Sequence, residues 1–366
     1  MPQKPILIFP GGMPRSVAYL NKLNVNEDSR EVIGASSLAY DPAREYYASW
    51  VWLPYVTDPA FDEALQRLIT EFNIGEIYTP NHVVWGYLEQ HLGRLAKGVL
   101  LANTSPVDEV LGGYRAALKK AESFAEKPLA LSIKPATHPM PSIIELAGLC
   151  RYTDLIPGMC DDEKFHVLLE IARHSVKGDI VEIGSWWGKS AFILAWLAPH
   201  FQIGNLLCVD PWSNAHLIQN ETIVDSCSAQ VDADEAFNVF RIGILPFNAK
   251  HINYLRMASE DGARSYSDDR VVRSEYFGET RYAGKISILH IDGNHAYEAV
   301  KADIDSWGGF VVDGGWIIFD DYMWPYGDGP KKIGDDFIDV NQSRIANAFT
   351  MGGALFIQLM LSNGNG

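Results

Sequence analysis

Short apolar runs alternate with stretches that space their apolar residues helically, and this alternation occurs twice along the chain. In the first series, residues 5–9 (PILIF) form an apolar run that ends at Pro10, Gly11 and Gly12, and residues 30–34 (REVIG) form a second. Residues 59–72 (PAFDEALQRLITEF) return apolar side chains at helical spacing, and residues 75–78 (GEIY) and 99–102 (VLLA) revert to strand. Strands alternating with helices predict a parallel sheet flanked by helices. Residues 126–142 (EKPLALSIKPATHPMPS) carry four prolines and no long periodicity, which predicts a linker.

The second series is longer. Helices are predicted over 143–150 and 161–174, the latter opening on Asp161 and Asp162, which suit the positive end of a helix. Strands follow at 179–183, 206–209, 254–257, 286–291 and 316–319, with helices at 189–197, 297–307 and 333–347. The apolar pair 348–350 and 354–360, separated by Met351, Gly352 and Gly353, predicts a closing hairpin. The expectation is an α/β chain: a smaller α/β domain over 1–125, the linker, and a seven-stranded domain over 143–366. Residues 362–366 are expected to fray.

Composition narrows the partners. A chain of 366 residues, 47% hydrophobic and 21% charged, has material for two cores. Its formal net charge of -16 repels phosphate backbones, so nucleic acid is not an expected partner, although a local basic pocket can still hold a small anion. Cys150, Cys160, Cys208 and Cys227 form no C-x-x-C pair and are expected as buried free thiols. The apolar run at 6–9 is too short for a signal-peptide core, and no stretch approaches the ~20 apolar residues that span a bilayer. A cytoplasmic protein with no membrane partner is expected.

The chemistry begins at residues 181–190 (VEIGSWWGKS), an apolar strand entering a helix. Gly184 and Gly188 let the backbone approach a ligand at that helix N-terminus. The dinucleotide pattern G-x-G-x-x-G fails because Trp186 stands at its second glycine. The phosphate loop G-x-x-x-x-G-K-[ST] fails because its first glycine falls on Ile183. Glu182-x-Gly184-x-x-x-Gly188 instead resembles motif I of the class I S-adenosylmethionine (SAM) dependent methyltransferases. Asp210 then ends the second strand of the domain, and Met257, Ala258, Ser259 and Glu260 follow the third. The resemblance implies a Rossmann-like class I sheet that binds SAM through Glu182, Gly184, Ser185, Gly188, Ser190, Asp210, Ser259 and Glu260. The acid at Asp210 would accept hydrogen bonds from the ribose diol.

Two further strand ends carry acids: Asp292 with His295, and Asp320 with Asp321. Neighbouring parallel strands lie ~4.8 Å apart, so their C-terminal ends should converge. Crowded carboxylates need a cation or a shifted pKa, and oxygen donors favour a hard ion such as Mg²⁺. His295 is placed to act as a general base. The plainer readings are that Asp292 and His295 cap the next helix and that Asp320 and Asp321 belong to a solvated loop. Strand alternation would point Asp320 and Asp321 apart, so joint chelation requires the strand to have ended. His290 is read as a core or supporting residue, Trp186, Trp187 and Trp196 as packing, with Trp187 also able to line the cofactor pocket. Asp303 and Asp305 are placed on an exposed helix face.

Over about 161–360 the combined pattern resembles the metal-dependent sugar O-methyltransferases of macrolide biosynthesis and the related cephalosporin hydroxylase-like group. That resemblance implies Mg²⁺ on Asp292, Asp320 and Asp321, with His295 and Asp292 catalytic. It departs at Asp320, where the family often has Glu. The implied activity is Mg²⁺-assisted methyl transfer from SAM to a hydroxyl of a sugar or glycosylated small molecule. Hydroxylation, N-methylation and a non-enzymatic SAM-binding scaffold are the alternatives. Tyr297, Tyr322 and Trp324 are candidates for stacking on a sugar. Residues 1–125 weakly resemble the domain that precedes ATP-grasp modules and are expected to be accessory; a homo-oligomer is left open.

Overall fold

The computed structural model describes residues 3–26, 29–131, 136–218, 225–226, 230–248 and 250–361. It divides into two compact units, Met1–Ala116 and Ala117–Gly366.

The first unit is a five-stranded parallel sheet in the order β3-β2-β1-β4-β5. Its elements are β1 (Ile6–Ile8), α1 (Pro14–Val25), β2 (Val32–Ser36), β3 (Ser49–Trp52), α2 (Phe61–Phe72), β4 (Glu76–Tyr78), α3 (His82–Leu95), β5 (Leu100–Leu101) and α4 (Pro106–Glu126). The central strand β1 is buried on both faces, which is why it reads as an unbroken apolar run. Leu7 packs with Phe61, Leu65 and Leu88, and Ile6 and Ile8 pack with Leu20 and Leu23. Strand β3 escapes the pattern because it lies at an edge and is only partly covered. Helix α3 starts where the Asn81 side chain accepts from the amides of Val83 and Val84.

The division between the units falls inside α4, not at the proline-rich stretch. Ala117, Ala121 and Phe124 of this helix are buried in the second unit's core, as is Leu131 beyond it.

The second unit contains α5 (Ile143–Thr153), α6 (Asp162–His174), β6 (Asp179–Ile183), α7 (Lys189–His200), β7 (Leu206–Val209), α8 (Ala233–Asn248), β8 (Ile252–Leu255) and α9 (Ser259–Asp268). It continues through β9 (Val271–Ser274), β10 (Gly278–Arg281), β11 (Ile286–Ile291), α10 (Tyr297–Trp307), β12 (Val311–Phe319), α11 (Gly329–Asn341), β13 (Ile345–Met351) and β14 (Ala354–Leu359). The seven-stranded sheet runs β13-β14-β12-β11-β6-β7-β8. Strands β12, β11, β6, β7 and β8 are parallel, and β14 is antiparallel to both its neighbours. Two apolar cores cover the two faces of this sheet.

Several boundaries differ from the pattern. The strand expected at 254–257 is β8 at Ile252–Leu255, and β12 begins earlier, at Val311. The helix expected to reach 347 stops at Asn341, because alternation of half-buried and exposed residues from Ile345 makes an edge strand. The hairpin β9–β10 and helix α8 were not predicted. Cys150, Cys160 and Cys208 are buried free thiols, while Cys227 and residues 362–366 lie outside the described residues. Among the described residues no helix is long and apolar enough to cross a membrane.

The register sets up the site. Ile183 pairs with both Val209 and Ile291, and Ile291 pairs with Phe319. The residues that follow these four, namely Gly184, Asp210, Asp292 and Asp320, therefore leave the sheet at one level. Ligands of open parallel sheets bind at this carboxyl edge.

Candidate active site

The loop after β6 bends through two glycines with left-handed backbone. Gly184 has φ of 82°, and a Cβ there would stand 2.0 Å from the carbonyl oxygen of Asp292. The loops after β6 and β11 thus touch through bare backbone. Gly188 has φ of 91° at the start of α7, and a Cβ there would meet Phe240 and Ile244 of α8.

Asp210 stitches the loops after β6 and β7 together. Its carboxylate accepts from the Trp186 amide at 2.9 Å and the Trp212 amide at 2.6 Å. The Trp212 indole donates to the Trp186 carbonyl at 2.8 Å. Burial raises the Asp210 pKa, against the lowering effect of those amides. Ser185 donates to Glu182 at 2.6 Å, and Glu182, Ser185 and Ser190 are all buried. Ser259 accepts from the Trp307 indole at 3.0 Å, and Glu260 is exposed.

Behind this loop runs a buried chain of alternating charge. Glu182 faces His290 Nδ1 at 3.1 Å, and His290 Nε2 faces Asp320 Oδ2 at 3.2 Å. Lys164 Nζ, reaching in from α6, donates to the same Asp320 oxygen and to the Met159 carbonyl at 3.0 Å. Burial opposes the charge on His290, but Asp320 and Glu182 outweigh it and push its pKa up to about 10. Burial likewise opposes the charge on Asp320, yet Lys164 and His290 hold its carboxyl well below the usual range. His290 therefore bridges the acids that follow or lie on two neighbouring strands, in keeping with a supporting role.

At the mouth of the site, Asp292 is half-buried, and desolvation together with the Asp320 charge drives its pKa well above the ordinary value. The strand has ended before Asp321, whose φ of 51° swings its carboxylate to His295 Nε2 at 3.0 Å. His295 Nδ1 is buried without a hydrogen-bond partner, and Trp324 meets the imidazole at 4.5 Å between ring centroids. Asp292, His295 and Asp321 each offer a ligating atom within 4.8 Å of the others, and so do His290, Asp292 and Asp320. Asp292 belongs to both groups, whereas Asp320 and Asp321 share neither.

Tyr297 and Tyr322 bond Asp336 and Asp335 of α11, so of the three aromatic candidates Trp324 is the one in contact with His295. Asp303 is not on an exposed face as expected: it is buried, burial pushes its pKa up to about 7, and Ser259 opposes the shift. Lys164 was missed entirely. Its signal was a lysine in the first turn of a helix, where the helix dipole repels a cation and an acid elsewhere must answer it.

Residues 181–322 match the family described as a methyltransferase domain. This part of the chain is similar to methyltransferase domains. The match starts in the strand that carries Glu182 and ends just past Asp320 and Asp321. The sheet agrees with the class I arrangement, with the domain's first strand central and its last strand antiparallel between the fifth and sixth. An uncharacterized protein of Acanthamoeba polyphaga mimivirus is 30% identical over 161 residues, which is 43% of this chain and 59% of that protein. The match thus spans less than two thirds of that relative. Among solved structures, the O-methyltransferase NovP has a TM-score of 0.39 at 16% identity, covering 68% of this chain and 98% of NovP. CalS11, a TDP-rhamnose 3'-O-methyltransferase of calicheamicin biosynthesis, has a TM-score of 0.35 at 12% identity, covering 70% and 96%.

Proposed function

We propose that the methyltransferase domain moves the methyl group of SAM to a hydroxyl of a sugar or glycosylated small molecule, assisted by Mg²⁺. The observation that supports this reading is the close approach of the Gly184 backbone to Asp292, which brings the glycine loop beside the strand end that carries Asp292. A donor held by the loop is then beside an acceptor held by the cluster, and proximity supplies much of the acceleration.

Gly184 and Gly188 let the loop turn closely against Asp292 and α8 where the cofactor would bind, and Asp210 keeps acceptor lone pairs for a ribose diol. Asp292 has the chemistry of a cation ligand: its carboxyl is crowded against that of Asp320, and Lys164 and His290 place their bonds on Asp320. By resemblance Asp292, Asp320 and Asp321 would hold Mg²⁺, which when bound lowers the pKa of a neighbouring hydroxyl. Asp321 accepts from Nε2–H of His295, which leaves Nδ1 as the lone pair that takes the acceptor proton. Trp324 fixes the imidazole plane and offers an apolar wall beside it.

The test is incubation of the full chain with methyl-labelled SAM and a panel of sugars and glycosides, with product masses recorded. A gain of one CH₂ on a hydroxyl supports the reading. A gain of one oxygen, or tight SAM binding with no transfer to any acceptor, sinks it.

A further inference from the structure

The buried partners of Asp320 account for its charge without any metal. Lys164 and Asp320 have side chains only 4% exposed. Oδ2 receives Lys164 and His290, and Oδ1 accepts the Asp321 amide at 2.9 Å. Oδ2 thus has two protein donors and Oδ1 one, and the carboxyl also bonds that of Asp292. Asp320 meets Lys164 and His290 through one oxygen, and His290 reaches Glu182 through its other ring nitrogen. Asp292 and Asp321 each offer an oxygen within 4.8 Å of the other and of a His295 nitrogen, a spacing that a divalent ion can bridge. The backbone agrees, since the left-handed turn at Asp321 sends its carboxylate away from Asp320 and toward His295.

We infer that Lys164 is the resident cation of Asp320, and that a divalent ion in this site is held by Asp292 and Asp321 without Asp320. The metal half of this inference rests on the proposed methyl transfer; the lysine half does not. Asp320 is then a positioning residue. It fixes Lys164, His290 and the amide that orients Asp321, and the expectation of three metal carboxylates reduces to two. A single charge removed from a buried pair leaves its partner unpaired, whereas removing both together is far better tolerated. The informative variant is therefore K164M/D320N.

The probe is Mn²⁺ added to the full chain, with free ion followed by electron paramagnetic resonance and folding checked by thermal unfolding. K164M/D320N should bind Mn²⁺ within about threefold of the wild type, while D292N and D321N should weaken binding at least tenfold. Loss of Mn²⁺ binding in the double variant to the level of D292N overturns the inference. If the wild type binds no Mn²⁺, the metal half of the proposed function fails, and K164M decides the lysine's role. Mn²⁺ binding gained in K164M shows that the ammonium stood in for an ion, and no gain overturns the assignment. K164M also serves if the double variant does not fold: tighter Mn²⁺ binding than the wild type supports competition by Lys164, and unchanged or weaker binding refutes it.

Discussion

His295 Nε2 lies 3.0 Å from Asp321 Oδ2, so one acid of the strand-end pair holds the imidazole and sets its tautomer. If Nδ1 is the base, H295A should lower kcat by ~10²–10⁴ while leaving SAM affinity within about twofold. D321N loses both the partner of Nε2 and a proposed metal ligand, so it should lower kcat as well, and the loss in the double variant should fall short of the product of the two single losses. Steady-state kinetics with calorimetric SAM binding checks both. Equal and additive losses would mean that the two side chains act independently.

Alanine at position 184 should damage both binding and stability. The backbone there is left-handed and the added methyl would strike the Asp292 carbonyl. A loss of more than ~1 kcal/mol is expected from the strain alone. G184A should show a lower Tm than the wild type and at least tenfold weaker SAM binding, read by thermal unfolding and calorimetry. Wild-type affinity in G184A would remove the close approach from the cofactor site.

His290 and Asp303 make stability pH-dependent with a shared sign. The His290 pKa is raised on folding to about 10, so its stabilising charge is fully present below its unfolded value of ~6.5 and is lost as pH rises toward 10. The Asp303 pKa is raised to about 7, so the neutral buried acid contributes fully below ~4, and that contribution is lost as pH rises through 7. Tm should therefore fall between pH 5 and 10. D303N should flatten the part below pH 7, and H290Q the part above it. A Tm that rises across this range would contradict both shifts.

Much of the second unit was legible because buried parallel strands read as plain apolar runs. β6, β7 and β11 begin and end where the pattern puts them. Ile183, Val209, Ile291 and Phe319 then place the following acids at one edge, which is why Asp210, Asp292 and Asp320 were visible without coordinates. The half-covered strands β3 and β13 lack that run and were misread or missed. The cluster's inner half was hidden for another reason. Lys164 and Asp320 are 156 positions apart, and nothing local to a lysine names the acid that will answer it. Asp303 misled because its neighbours Lys301 and Asp305 form an exposed pair and lend the stretch a solvated look.

If a divalent ion assists, excess EDTA should lower turnover at least tenfold, and added Mg²⁺ should restore it. D292N should lose turnover in either condition while retaining SAM binding. Chelator-insensitive turnover in the wild type would leave the protein's own cations as the charges at work.

Lys164 precedes the recognisable domain, which starts at residue 181. Helix α6 therefore supplies a residue of the candidate site although the family match does not reach it. A fragment trimmed to residues 181–322 would lose the ammonium under Asp320, together with the two strands that close the sheet beyond β12. What identifies the domain and what suffices to fold it are different lengths of chain. Any excised version should begin upstream of Ala117 and extend through Leu359.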